Sequence, residues 1–150
     1  MTSTQIERLP DGLRLTRIFN APREQVFAAW TDPSQISQWW GCAQTSSVDS
    51  TVDLRVGGEY RHNMEMSHGT FDMVGIFTIV EPPEHLAYSM KGEMGMPDSV
   101  TDVRLREVDG GTELTLLITG LSDETMQGFV SEGWSAGMEK LEKVLQSLQL

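Results

Sequence analysis

The chain has 150 residues, with 11 Lys and Arg against 22 Asp and Glu, a net charge of −11 at neutral pH. Such a balance repels phosphate backbones and anionic membrane surfaces, so nucleic acid is not an expected partner. Hydrophobic residues make up 39%, a share that suits a soluble globular chain, and the length fits a single domain spanning 1–150.

The turn Pro10-Asp11-Gly12 follows a polar lead-in, and Leu13 to Asn20 alternates as a first strand. Asn20 is the expected cap of a short helix that carries Val26, Phe27 and Trp30 on one face and ends near Thr31. Asp32-Pro33-Ser34 restarts the chain, and Ile36, Trp39 and Trp40 fit a second helical turn ending at Gly41. From Ser46 the period becomes two. Six runs follow, Val48 to Val56, Glu59 to Ser67, Thr70 to Val80, His85 to Met90, Val100 to Val108 and Thr112 to Thr119, separated by Gly, Pro and Asp turns. Connections this short dictate an antiparallel meander, since a parallel neighbour needs a crossover of a dozen or more residues. The last segment, Asp123 to Leu148, traces a helical stripe through Met126, Phe129, Val130, Trp134, Met138, Leu141, Val144, Leu145 and Leu148, with Ser122 as the expected cap. The fold class is therefore α+β: a curved seven-stranded antiparallel sheet wrapped around a long C-terminal helix, with two short helices between strands one and two.

A helix about 10 Å wide does not fill the concave face of a twisted seven-stranded sheet, so a guest-sized apolar hollow is expected beneath it. Parity places Tyr60, His62, Met64 and Met66 inward on one strand and Phe71, Met73, Gly75, Phe77 and Ile79 on the next. Leu86, Tyr88 and Met90 follow, then Leu114, Leu116 and Ile118. Six of the nine methionines (Met64, Met66, Met73, Met90, Met94, Met96) fall in the middle of the sheet and its loop. Flexible and polarizable, they suit either variable apolar guests or irregular gaps in a core.

The order of elements resembles the helix-grip fold of the birch-pollen-allergen and START-like superfamily. More closely, the chain resembles the family of the activator of heat-shock protein 90 ATPase, in its bacterial single-domain form. The resemblance rests on Ala21-Pro22-Arg23-Glu24-Gln25-Val26-Phe27-Ala28-Ala29-Trp30-Thr31-Asp32-Pro33, the turn Trp39-Trp40-Gly41, and Val56-Gly57-Gly58-Glu59-Tyr60-Arg61. It continues through Ile79-Val80-Glu81-Pro82-Pro83-Glu84-His85-Leu86, Gly110-Gly111-Thr112-Glu113-Leu114-Thr115-Leu116 and Gly133-Trp134. It implies binding of an apolar molecule, contact with a chaperone, or cyclase-type chemistry, because one fold hosts many activities.

From the residues, the preferred reading is a protein that encloses a small hydrophobic molecule, whether lipid, polyketide or aromatic. The candidate binding residues are Trp40, Tyr60, His62, Met64, Met73, Phe77, Tyr88, Met90, Trp134 and Met138. Met94 and Met96, among Gly92, Gly95 and Pro97, form a candidate flap. Trp39 and Trp40 either line the mouth or staple the second helix to the sheet edge, with the staple preferred and Trp40 the stronger core candidate. No catalytic set emerges: His62 and Glu65 lie on opposite faces, and Cys42 has no evident His partner. His62, Met64, Met66 and His68 share one parity, but strand neighbours about 7 Å apart converge poorly on one ion, so no metal or organic cofactor is expected. The single cysteine excludes an internal disulfide. With no basic, apolar leader and no run near the ~20 apolar residues that cross a bilayer, neither secretion nor membrane insertion is expected, and the cytoplasm is the expected compartment. Two rivals remain: an acidic module stimulating a chaperone ATPase, and an enzyme of the polyketide cyclase or hydrolase type with His62 as its acid.

Overall fold

The computed structural model describes residues 4–40, 45–67, 69–92 and 98–147. Along the chain run β1 (Gln5–Leu9), β2 (Gly12–Phe19), α1 (Arg23–Thr31), α2 (Pro33–Trp39), β3 (Thr45–Val52), β4 (Glu59–Met66), β5 (Gly69–Glu81), β6 (His85–Met90), β7 (Ser99–Val108), β8 (Gly111–Thr119) and α3 (Glu124–Ser147). The strands form one sheet in the order β1-β2-β8-β7-β6-β5-β4-β3, with every neighbouring pair antiparallel. This is the expected α+β helix-grip architecture, an open sheet with α3, α1 and α2 against it.

The sheet has eight described strands rather than seven, because the polar lead-in pairs with β2 through Gln5↔Thr16 to Leu9↔Gly12. An edge strand buries little, and only Ile6 and Leu9 of β1 are half-buried, so its alternation is too weak to read. β3 also ends earlier than expected, at Val52 rather than Val56. Residues 53–58 instead make a turn in which Gly57 takes a φ of 86° and the backbone is tied to Phe77 through Gly57 N and Gly58 O.

Helix starts obey the electrostatics of exposed N–H groups more than the expected residues. The expected Asn20 cap is not used: α1 starts behind Pro22, whose carbonyl accepts from Gln25 and Val26, with no side-chain cap. At α2 the carboxylate of Asp32 accepts from Ser34 N at 3.0 Å, with Pro33 in the first turn. At α3 the cap is Asp123, not the expected Ser122: one carboxylate oxygen accepts from Thr125 N at 2.8 Å and Met126 N at 3.1 Å. A carboxylate also matches the positive end of the helix dipole.

Parity holds along β8, where Leu114, Leu116 and Ile118 are all buried, and along the first three inward positions of β4. On β5 the register shifts between Phe77 and Ile79, so Val80 packs against the core in place of the expected Ile79. On α3, Phe129 is 64% exposed despite its place in the expected stripe. Gln127 is buried instead, its Nε2 donating to Leu9 O and Leu121 O, which ties the start of the helix to the β1–β2 and β8–α3 connections. Arg17 also departs from simple alternation. Its side chain is buried between β2 and α3, donates to Thr4, meets Glu139 at 3.1 Å and Glu142 at 3.0 Å, and lies over the Phe19 ring.

Candidate functional site

All four tryptophans meet where α1, α2 and α3 converge over the sheet. Trp30 of α1 stacks on Trp134 of α3 with centroids 5.7 Å apart and planes inclined by 18°, while Trp39 and Trp40 approach both rings edge-on or tilted. The ring network continues into the sheet: Trp40 lies 4.5 Å from the His62 imidazole, His62 lies 5.0 Å from Tyr60, and Tyr60 contacts Phe77 and Tyr88. Offset and edge contacts of this kind match positive ring edges to negative faces.

Polar atoms inside the network are tied down. Tyr60 Oη donates to the Ser89 carbonyl at 2.9 Å, Trp30 Nε1 donates to Tyr88 Oη at 3.2 Å, and Trp39 Nε1 donates to the Ala29 carbonyl at 2.8 Å. His62 Nδ1 shares a 2.8 Å hydrogen bond with Ser50 Oγ, its cross-strand partner on β3. That bond leaves Nε2 as the second hydrogen-bonding position of the ring. Burial pushes the His62 pKa down from 6.5 to about 4, so the imidazole is neutral at neutral pH. Burial likewise raises both tyrosines: Tyr60 with a further contribution from Tyr88, and Tyr88 against the opposing effect of its hydrogen bonds to Trp30 and Thr101. Both stay protonated. The other described histidine, His85, is bracketed by Asp102 at 2.7 Å and Glu81 at 3.5 Å, and its neighbours make it a clamp between β6 and β7.

Between these rings lies a cavity of about 10 Å³, lined by Trp30, Trp40, Val52, Tyr60, His62, Phe77 and Tyr88. That is room for one water, against roughly 300–1,000 Å³ for a ligand pocket. The guest-sized hollow expected from helix width and sheet twist is therefore absent among the described residues. Its space is taken by indole rings from α1, α2 and α3 and by the Tyr60 phenol. Tyr60 reaches that position because its cross-strand neighbour is Gly75, where an added Cβ would lie 2.6 Å from the Tyr60 ring. A second hollow, of about 150 Å³, lies by the far end of α3 and is lined by Phe19, Asn20, Glu142, Leu145 and Gln146.

Of the candidate binding residues, Trp40, Tyr60, His62, Phe77 and Tyr88 face the cavity. Trp134 stands one ring behind, stacked on Trp30. Met64 and Met138 are buried in the core, Met73 packs half-buried against it, and Met90 is half-buried at the end of β6. Sequence reasoning missed Trp30 and Val52 in the lining and Ser50 behind His62. Parity carried a signal for the last two, since Val48, Ser50 and Val52 alternate and pair with Met64, His62 and Tyr60 on the inward face of the sheet. Trp39 is buried, with its indole N–H bonded to Ala29 of α1 and its ring against Trp30 and Trp134, while Trp40 is both core and lining. Gly41, Cys42, His68, Glu93, Met94, Gly95, Met96, Pro97 and Leu148 lie outside the described residues, and with them the candidate flap and the second histidine of the His-Met run. Among the described residues no cluster of His, Cys, Asp and Glu is arranged to hold a metal ion, and no helix is long and apolar enough to cross a membrane.

An open antiparallel sheet gripping one long helix, with an aromatic interior between them, defines a helix-grip protein. The chain belongs to the family described as Activator of Hsp90 ATPase homolog 1-like protein, whose profile matches residues 20–146. No curated protein matches the sequence. Among solved structures, a Chromobacterium violaceum protein superposes with a TM-score of 0.84 at 23% identity, covering 91% of this chain and 98% of its own. A Nitrosomonas europaea protein gives 0.81 at 22% identity, covering 95% and 99%. CalU16 of Micromonospora echinospora is 27% identical, with a TM-score of 0.67 and coverage of 97% and 85%.

Proposed function

We propose that the protein binds a small hydrophobic molecule within the aromatic cage between the sheet and α3, and that the cage opens to admit it. One observation carries the reading: a histidine only 4% exposed, kept neutral by burial, sits among aromatic rings and lines the cavity between them. A core built for stability alone gains little from an imidazole placed there, because a polar ring carries a desolvation cost that an apolar side chain of the same size does not. Trp40, Tyr60, His62, Phe77 and Tyr88 would touch the guest, and Trp134, Met64, Met73, Met90 and Met138 would repack behind them. The polarizable methionines suit that second layer. A chaperone-activating role rests on the family's description, and cyclase or hydrolase chemistry on the resemblance, with no described feature favouring either.

Titration with hydrophobic compounds, followed by tryptophan fluorescence and by amide NMR shifts, tests the reading. All four tryptophans belong to or adjoin the cage, so binding gives a saturable emission change, with shifts at Tyr60, His62 and Tyr88. Silence in both readouts across fatty acids, polyketides and aromatics, together with an unladen mass in native mass spectrometry, sinks the proposal.

A further inference from the structure

We infer that the guest is a flat, uncharged bicyclic aromatic bearing one hydrogen-bonding group, which enters by displacing the Trp40 indole and anchors on His62 Nε2. The inference rests on the binding role proposed above and names its ligand class.

Three features of the cage lead to it. The first is which ring can leave. Trp30 and Trp39 hold their indole N–H groups in hydrogen bonds to Tyr88 and Ala29, and Tyr60 is anchored to Ser89. Trp40 makes no side-chain hydrogen bond among the described residues; ring contacts at 4.5 Å to His62, 5.2 Å to Trp39, 5.5 Å to Trp134 and 6.5 Å to Trp30 hold it. It also sits at the C-cap of α2, where the backbone has left the helix with a ψ of 147°, so its side chain can swing without unwinding the helix.

The second is what can take its place. Moving Trp40 out breaks edge and tilted ring contacts, and a guest recovers them only with a π face and edge of its own. A saturated chain fills the volume but not the ring geometry. The vacated space is that of two fused rings, enlarged by the cavity of about 10 Å³ beside it.

The third is charge. Among the described residues no lysine or arginine lines the cavity, the imidazole there is uncharged, and the whole chain carries a net charge of −11. A carboxylate or phosphate would enter with no described cation to balance it, and a buried unpaired ion is strongly disfavoured. Nε2 accepts from a guest hydroxyl when Ser50 accepts from Nδ1, and donates to a guest carbonyl when Ser50 donates. The Ser50 hydroxyl rotates to serve either case.

The test compares four probes on the wild-type protein by calorimetry and tryptophan fluorescence: 2-naphthol, naphthalene, 2-naphthoate and decanoate. The expected order places 2-naphthol first, about five- to tenfold tighter than naphthalene, the worth of one hydrogen bond, and 2-naphthoate and decanoate weaker still. In His62→Phe the ratio of naphthol to naphthalene affinity falls to about one, and the fall is absent in the surface control Arg104→Gln. Tighter binding of 2-naphthoate or decanoate overturns the ligand class while leaving the binding role standing. No binding by any probe overturns both. Should His62→Phe fail to fold, the order among probes on the wild-type protein decides alone.

Discussion

Acid is the sharpest probe of the cage, because protonating His62 would place a full charge among the rings of Trp30, Trp40, Tyr60, Phe77 and Tyr88. The native imidazole titrates at about 4 and the exposed one at 6.5, with burial as the cause. As pH falls, the unfolded chain takes up the proton first, so stability is lost between 6.5 and 4 and is fully present above that window. At about 1.4 kcal/mol per pKa unit the whole difference is worth about 3 kcal/mol, with about 2.5 kcal/mol gone by about pH 4.5. The assay is urea unfolding from about pH 7.5 to 4.5 on wild type and His62→Gln, which keeps a polar side chain but does not titrate. The 22 carboxylates and the other histidines titrate in both proteins, so the wild-type advantage over the variant isolates His62. That advantage is expected to shrink by about 2.5 kcal/mol across the range. A constant difference, or one that grows in acid, refutes a buried neutral imidazole and the anchoring role built on it.

Other outcomes follow from single contacts. Trp39→Ala removes a ring that is 1% exposed and its bond to Ala29, and is expected to cost about 3–5 kcal/mol in urea melts; a loss under ~1 kcal/mol would mean the tryptophan junction is not packed as described. Asp32→Ala removes the α2 cap and should cost about 1 kcal/mol, with Asp32→Asn retaining most of it; equal losses in the two variants would assign the effect elsewhere. Arg17→Ala leaves Glu142 without its buried partner and should destabilise by about 1–3 kcal/mol, discounted because Glu139 is largely in water. Arg17→Met keeps the packing against Phe19 and should lose less, and thermal melts that rank the pair in reverse would contradict this account.

The elements were legible because each writes its own period. The alternation of Leu114, Leu116 and Ile118 and the spacing of Trp134, Met138, Leu141 and Leu145 both select one buried face, whatever lies opposite. β1 escaped notice because an edge strand with two half-buried side chains has almost no period to show. Ile79 misled because a bulge is a property of the pair β5–β6, and Arg17 because its partners, Glu139 and Glu142, are more than a hundred residues away in the chain. Helix caps misled for a smaller reason: Ser122 and Asp123 are both good acceptors, and one residue of register decides between them.

Composition and periodicity thus determined that the six strands after the short helices build an antiparallel meander followed by an amphipathic helix, and for β8 and most of β4 which face turns inward. These are nearest-neighbour properties. Whether the interior is open or full was decided only by tertiary structure. The answer depends on the summed volume of rings delivered from α1, α2, β4, β5, β6 and α3 to one point, and on the bare backbone at Gly75 that lets Tyr60 lie flat. Volumes that meet from six separate elements leave no local pattern in a sequence, because close packing constrains their total and not their order along the chain.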